Sequence, residues 1–298
     1  MSPNVSQSKF KHVDDLWFPD ATIIIQAENS LFRVYSGILV AHSSVFRNMI
    51  AFPQHSPQQA GDSAVDNLAV VHLSDRAAEV EVFLRAIFDS SFFEPPPVRV
   101  KFSAVINVMS LAHKYNVRYL FRRALAHLDW ILPLDLNKFM DFYSGAVLEA
   151  ADIHVEFTDD ADHLLDNWET IHMKALRAAS AVGASWILPG LYYIIACNPQ
   201  FRVKLGTEFL NIHEERVFMT AQLELLRAHT SSYGGLRLLP SLSCVSPDVD
   251  RDLCIPCGDL AEGIYDGVQK MLWDRLPSLF GLPSWEELKE VRQTVMEE

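Results

Sequence analysis

All segments with strand-type sequence fall in the first quarter of the chain, which restricts the possible folds more than any other feature. The β-branched run Ala21–Gln26, the partly alternating run Leu31–Tyr35 and the apolar run Leu68–Leu73 are typical of strands. Glu28-Asn29-Ser30 separates the first two runs, which predicts a β-hairpin. Beyond Pro133 the apolar residues follow a helical period throughout. The sequence therefore predicts an α+β chain, with a small N-terminal sheet among helices and an all-α C-terminal region.

Helical patterns alternate with these strands. Ser43-Ser44 can cap a short helix, and Ser74 can cap a longer one whose apolar residues recur at helical spacing: Val80, Phe83, Leu84, Ile87 and Phe88. The region 52–67 has no period and predicts a surface loop. Glu94-Pro95-Pro96-Pro97 predicts another, because proline cannot continue a helix. Residues 103–130 predict a helical hairpin that turns at Tyr115-Asn116.

The C-terminal half reads as a series of helices. Their predicted ranges are 135–150, 161–182, 187–197, 208–230, 259–276 and 284–297. The apolar run Trp186–Cys197 predicts a buried helix, because spanning a bilayer takes about 20 residues. Ser284 and Glu287 form a capping box at the start of the last helix. The acids between Glu149 and Glu169, which occur without Lys or Arg, predict a linker or a solvated face.

Composition excludes several classes of function. The chain has 25 Lys+Arg against 38 Asp+Glu, a net charge of −13, which disfavours direct binding to nucleic acids and to anionic membranes. The N-terminus has no apolar segment of the secretory type, and four cysteines are too few to suggest a disulfide framework. We therefore expect a soluble intracellular protein, in the cytoplasm, the nucleus or both.

One pair of cysteines resembles a zinc knuckle. Cys254-Ile255-Pro256-Cys257 has the two-residue spacer that lets both thiolates reach one ion. Cys244 with Cys197 or His229 could complete such a site. Because the chain has no second motif of this type, free thiols are the preferred interpretation and zinc is the alternative.

Other residue clusters suggest chemistry only in part. A group of acids and histidines could hold a hard cation, but its spacing fits a solvated acidic face better: His154, Asp159, Asp160, Asp162, His163 and Asp166. His213-Glu214-Glu215-Arg216-Val217 begins like a zinc-protease helix, but Val217 stands where the second ligand is needed. The phosphate-binding glycine loops and the GxSxG elbow are absent. We predict no catalytic residue, no cofactor and no metal site, and an enzyme in the helical half is the weaker alternative.

Several local motifs together resemble the BTB/POZ domain. Asp20 precedes the first apolar strand, and Ile38–Met49 contains a leucine-alanine turn followed by a phenylalanine-arginine-x-methionine helix. Val71–Asp75 with Phe83–Phe88, and Leu111–Val117, are similar to the family's third strand, the helix after it and its lysine-tyrosine helix end. The resemblance covers about residues 15–132, after a flexible leader at 1–14. Residues 133–298 are more loosely similar to the helical half of fungal BTB proteins.

The resemblance implies a protein–protein adaptor and not an enzyme. Its partners would be another BTB chain, as homomer or heteromer, or a cullin ubiquitin-ligase scaffold, and the alternative is a dimerising transcription or chromatin regulator that acts indirectly. By resemblance, the residues that bind partners are Asp20, Val45, Phe46, Met49 and Tyr115. One departure affects dimerisation: Tyr35-Ser36 stands where many self-associating members have a basic pair opposite the acid that matches Asp20.

Overall fold

The computed structural model describes residues 10–51, 68–98, 100–143, 155–156, 168–197, 212–231, 267 and 269–297. The chain divides into two compact units. Unit 1 comprises Met1–Pro95 with Ala104–Ala124, and unit 2 comprises Pro96–Ser103 with Leu125–Glu298. A four-stranded sheet lies in unit 1, and helices predominate in the described part of unit 2. The predicted mixed α+β class is thus confirmed.

The sheet of unit 1 has the strand order β1-β3-β2-β4. Its strands are β1 (Lys11–Trp17), β2 (Ile23–Ala27), β3 (Ser30–Val34) and β4 (Ala69–Leu73). The predicted hairpin is confirmed, since β2 and β3 pair antiparallel with Ile25 opposite Phe32. Strand β2 also pairs in parallel with β4. Four of the five residues of β2 are buried, as expected for a central strand covered on both faces.

Strand β1 departs from the sequence prediction. Residues 1–14 were expected to form a flexible leader, but residues 11–14 belong to β1, which pairs in parallel with β3. Val13 and Leu16 are its buried residues, and the register shifts between His12 and Trp17. The two buried residues are three positions apart and the register is irregular, so the segment lacks the alternation of apolar and polar residues that is typical of a strand. Its polar sequence therefore predicted a flexible leader.

Five of the helices that the structure describes contain residues of unit 1. They are α1 (Ser36–His42), α2 (Ser44–Ala51), α3 (Ala77–Phe88), α4 (Phe102–Lys114) and α5 (Arg118–Ile131). Helix α1 occupies the segment in which the resemblance implied a turn. The helical hairpin of α4 and α5 is confirmed, and Asn116 turns the chain between them at a φ of 52°. Asparagine tolerates this left-handed conformation better than most residues.

The start of α3 corrects a predicted cap. Ser74 was expected to cap this helix, but the helix begins at Ala77, and its N-cap residue Arg76 makes no side-chain cap. The carboxylate of Glu28, in the turn between β2 and β3, instead accepts a hydrogen bond from the Ala77 N–H at 2.9 Å. A carboxylate at a helix N-terminus accepts a hydrogen bond from an N–H group that has no partner within the helix. Its negative charge is also stabilised by the positive end of the helix dipole.

The helices in the described part of unit 2 agree with the predicted series. They are α6 (Leu136–Tyr143), α7 (Trp168–Ala181), α8 (Leu188–Cys197), α9 (Ile212–Ser231), α10 (269–279) and α11 (Trp285–Glu297). The prediction that no strand follows Pro133 is wrong, because β6 (Val155–Glu156) pairs in parallel with β5 (Val100–Lys101). Two residues within an acidic run carry too little apolar pattern to reveal a strand.

The apolar run that starts at Trp186 is buried as predicted. Trp186, Tyr193 and Ile195 are each 1% exposed or less. The indole N–H of Trp186 donates to Asp129 at 2.7 Å, and Arg292 of α11 binds the other oxygen of the same carboxylate. None of the described helices is both long and apolar enough to cross a membrane.

The predicted capping box at the start of α11 is confirmed. The N–H of Ser284 donates to the Glu287 carboxylate at 2.8 Å, and the N–H of Glu287 donates to the Ser284 hydroxyl at 3.3 Å. These bonds favour the ionised carboxylate and lower the pKa of Glu287. The Trp285 indole also donates to the carbonyl of Trp273 at 2.7 Å, and the two rings stack at 4.8 Å. Helix α11 is therefore fixed to α10 at its first turn.

Candidate protein-binding surface

The position of α2 is set by a buried serine. Ser43, which is 1% exposed, accepts a hydrogen bond from the N–H of Phe46 at 2.9 Å, the N-cap bond predicted from the sequence. Its hydroxyl donates in turn to the carbonyl of Tyr115 at 2.5 Å. One small side chain therefore starts α2 and joins it to the turn between α4 and α5.

Tyr115 forms the centre of this junction. Its ring stacks on Phe46 at 4.7 Å and lies 5.7 Å from Phe83. Its hydroxyl donates to one oxygen of the Asp75 carboxylate, while the Lys114 ammonium lies 2.5 Å from the other. Burial, first, and the hydrogen bond to the Asp75 carboxylate, second, both raise the pKa of Tyr115 above its ordinary value.

Two of the five residues expected to bind partners lie inside unit 1. Phe46 is 0% exposed and Tyr115 is 3% exposed, so neither presents its ring to a partner in this conformation. Their observed contacts hold α2 against the α4–α5 turn. Sequence periodicity could not distinguish these two roles, because a buried anchor and a partner contact on a short helix are equally apolar.

The other residues of α2 lie closer to solvent. Val45 and Met49, one helical turn apart, are both half-buried, and Ile50 beside Met49 is half-buried too. On α1, Ile38 is 38% exposed, which is high for a large apolar side chain. We call Ile38, Val45, Met49 and Ile50 the apolar contact residues. Partner contacts by Val45 and Met49 stay a prediction.

Asp20, the fifth predicted residue, has a partner within its own chain. The Tyr35 hydroxyl donates to its carboxylate at 2.5 Å, and this bond raises the pKa of Tyr35. Arg33 fixes the adjoining segment by donating to the Pro19 carbonyl at 2.6 Å. A neutral phenol therefore stands beside the acid, where the resemblance led us to look for a basic side chain.

Sequence reasoning missed the acid that completes the junction. Asp75 was noticed only as part of the third-strand motif, yet its carboxylate joins Lys114 and Tyr115, almost forty positions away. Its side chain is only 12% exposed, and its bonds are charge-assisted. A pairing between distant residues has no spacing rule, so no local signal could have revealed it.

The alternative metal sites fall largely outside the described residues. Cys244, Cys254, Cys257 and the acidic cluster 159–166 with His154 lie there, and the side chains of Cys197 and His229 are not described. Residues 213–217 form part of α9, as an ordinary helix segment. Among the described side chains, no group of three or more His, Cys, Asp or Glu is arranged to hold a metal ion.

Comparison of the chain with protein families, with curated proteins and with solved structures found no match. The features that bear on function are therefore the motifs in the sequence and the geometry of unit 1.

Proposed function

We propose that this chain is a protein–protein adaptor whose N-terminal unit acts as a BTB-type module, with a cullin scaffold or another BTB chain as its partner. The observation that carries the proposal is the construction of α2. Ser43 and Phe46 hold the helix on its buried side, while Val45 and Met49 stay partly exposed. A rigid helix that presents apolar side chains to solvent is a common way to build a binding anchor.

The position of the apolar contact residues supports this function. Ile38 belongs to α1 and the other three to α2, and the two helices are separated only by Ser43. Arg47 of α2 donates to the carbonyl of Val40 in α1 at 2.9 Å, which fixes the two helices relative to each other. Side chains held in this way lose little conformational entropy when a partner binds.

Binding of the intact chain to purified cullin N-terminal domain tests the proposal. We expect Met49→Asp to weaken binding at least about tenfold, because a carboxylate would be desolvated against an apolar partner surface. Leu223→Asp is the matched control, since Leu223 is an exposed apolar residue of α9 in unit 2. Thermal unfolding of both variants checks that the chain remains folded. The proposed partners are rejected if neither a cullin nor a BTB protein binds at high micromolar concentration.

A BTB-type module that only dimerises and acts indirectly in transcription is the alternative. The bond from Tyr35 to Asp20 favours the adaptor, because it engages within one chain the acid that a charged dimer pocket would use. Sedimentation of the purified chain separates the two. A monomer that binds cullin supports the adaptor, and a stable dimer without cullin affinity supports the regulator.

A further inference from the structure

Helix α9 (Ile212–Ser231) has two faces that differ in burial. The residues of one face lie inside unit 2, each at 4% exposure or less: Phe218, Ala221, Gln222 and Leu225. On the opposite face, Met219 is 47% exposed and Leu223 is 53% exposed, the highest value among the large apolar side chains that the structure describes. A helix that packs on a core needs one apolar face, so a second one indicates an interaction surface.

The exposed residues of α9 are regularly spaced. Arg216, Met219 and Leu223 follow one another at intervals of three and four residues, and all three are exposed. Residues at these intervals are neighbours on a helix surface, so helix geometry alone places them side by side. The same alternation marks the positions at which one helix packs along another in a coiled coil. We call Arg216, Met219 and Leu223 the α9 stripe.

Opposite charges lie at the two ends of the α9 stripe. Arg216 begins it, and none of the side chains that the structure describes forms an ion pair with Arg216. Glu224 adjoins Leu223 at the other end, and its side chain is 43% exposed. One oxygen of its carboxylate lies 2.8 Å from the Arg227 guanidinium. The carboxylate can accept further hydrogen bonds, because its two oxygens together offer about four acceptor sites.

A second copy of α9, packed antiparallel to the first, supplies a partner for each member of the α9 stripe. When Met219 of one copy lies against Leu223 of the other, two-fold symmetry repeats the same contact in reverse. In that register, Arg216 lies within about 3 Å, along the helix axis, of the level of Glu224 in the other copy. The guanidinium can then bind the carboxylate, and symmetry forms this pair twice. The α9 stripe is thus complementary to itself.

We infer that two copies of this chain associate through their α9 stripes, with the two helices antiparallel. The inference goes beyond the proposed function, because it uses unit 2 and none of the residues proposed to bind a cullin. The net charge of −13 opposes association, but charges are screened beyond about 8 Å at physiological ionic strength. Since the α9 stripe contributes two apolar side chains per copy, we expect a weak and reversible dimer.

Sedimentation equilibrium of the full chain, up to high micromolar concentration, tests the inference. We expect reversible association between monomer and dimer. Met219→Asp combined with Leu223→Asp should weaken the dimer at least about tenfold, because the contact between the two helices would then have to desolvate carboxylates. Thermal unfolding checks that this variant remains folded, which the exposure of both side chains leads us to expect.

The matched control is Met271→Asp combined with Val98→Asp, which changes two exposed apolar residues of unit 2 outside α9. We expect the control to associate like the unmodified chain. It carries the same added negative charge, so a general effect of charge on association would appear in both variants.

Exchange of the charged pair tests the antiparallel arrangement. Arg216→Glu and Glu224→Arg should each weaken the dimer roughly threefold to tenfold, because each places like charges together. The two substitutions combined should restore association, since each copy then offers the reversed pair. The inference is overturned by a chain that is monomeric at every concentration, by a dimer that persists when Met219 and Leu223 are both replaced, or by a charge exchange that restores nothing. Cullin binding sensitive to Met49→Asp would stand in all three cases.

Discussion

The hydroxyl of Ser43 donates to the carbonyl of Tyr115, 72 positions along the chain, and both residues are buried. The same oxygen caps α2. Replacement by alanine would leave two buried polar groups unsatisfied, one at each end of this link. We expect the protein to lose stability, because a buried donor or acceptor without a partner costs more free energy than the hydrogen bond contributes net.

Ser43→Ala should lower the free energy of unfolding by about 1–3 kcal/mol. Ser44→Ala is the adjacent control, because the Ser44 hydroxyl accepts only an exposed bond from Asn116. We expect the control to cost roughly 0.5 kcal/mol or less. Urea unfolding of the three proteins measures both values, and equal losses would contradict the role given to Ser43.

The raised pKa of Tyr115 predicts alkaline destabilisation. The unfolded phenol ionises near pH 10, while the folded phenol keeps its proton to higher pH, so the unfolded state binds fewer protons in that window. Stability contributed by the neutral phenol is therefore complete below about pH 10 and falls as pH rises further. Tyr115→Phe should make this fall shallower in denaturant titrations between about pH 9 and 11.

Some alkaline loss should remain in Tyr115→Phe, because the pKa values of Tyr35 and Tyr119 are raised as well. The control Tyr35→Phe removes a hydroxyl that lies at the surface with Asp20. It should change the slope less than Tyr115→Phe does. A larger effect of Tyr35→Phe would mean that the phenol beside Asp75 is not the group that titrates.

Arg292→Leu should lower the stability of unit 2 by about 1–3 kcal/mol. The substitution leaves Asp129, whose side chain is only 16% exposed, with the Trp186 indole and without its cation. Arg227→Leu is the control, since its pair with Glu224 is largely exposed. Exposed pairs of this kind contribute about 0–1 kcal/mol. Tryptophan fluorescence during urea unfolding of both variants, to which Trp186 contributes as one of six tryptophans, measures these losses.

Leu16→Ala tests whether β1 belongs to the folded unit. Leu16 is 2% exposed, so its truncation should cost about 2–5 kcal/mol, as in other protein cores. Asp14→Ala on the same strand removes an exposed side chain and should change stability by no more than about 0.5 kcal/mol. Calorimetry that showed no loss for Leu16→Ala would mean that β1 contributes little to the fold.

Elements whose signal lies in local periodicity were predictable. The β2–β3 hairpin, the α4–α5 hairpin and the cap at Ser284 all follow from residues close together in sequence. Strand β1 and the short strand β6 were missed because their pairing partners, not their own patterns, define them. Local rules cannot detect a strand whose apolar residues do not alternate.

The candidate surface was predictable in outline but not in detail. The motifs indicated α2 and the helical hairpin, yet burial divides their residues in a way that the sequence does not show. Phe46 is inside while Met49 is near solvent, and Glu28 caps a helix that Ser74 was expected to start. Each of these outcomes depends on contacts between segments that lie far apart in the chain.

The pairing of β2 with β4 has a consequence for the rate of folding. Ile25 pairs with Val71 in parallel register. The chain between them must form a long loop, and the conformational entropy lost in closing it opposes folding until the strands pair. The backbone hydrogen bonds within a helix of unit 2 such as α8 (Leu188–Cys197) join residues four positions apart. We therefore expect hydrogen-exchange labelling during refolding to protect amides in α8 before those of β4.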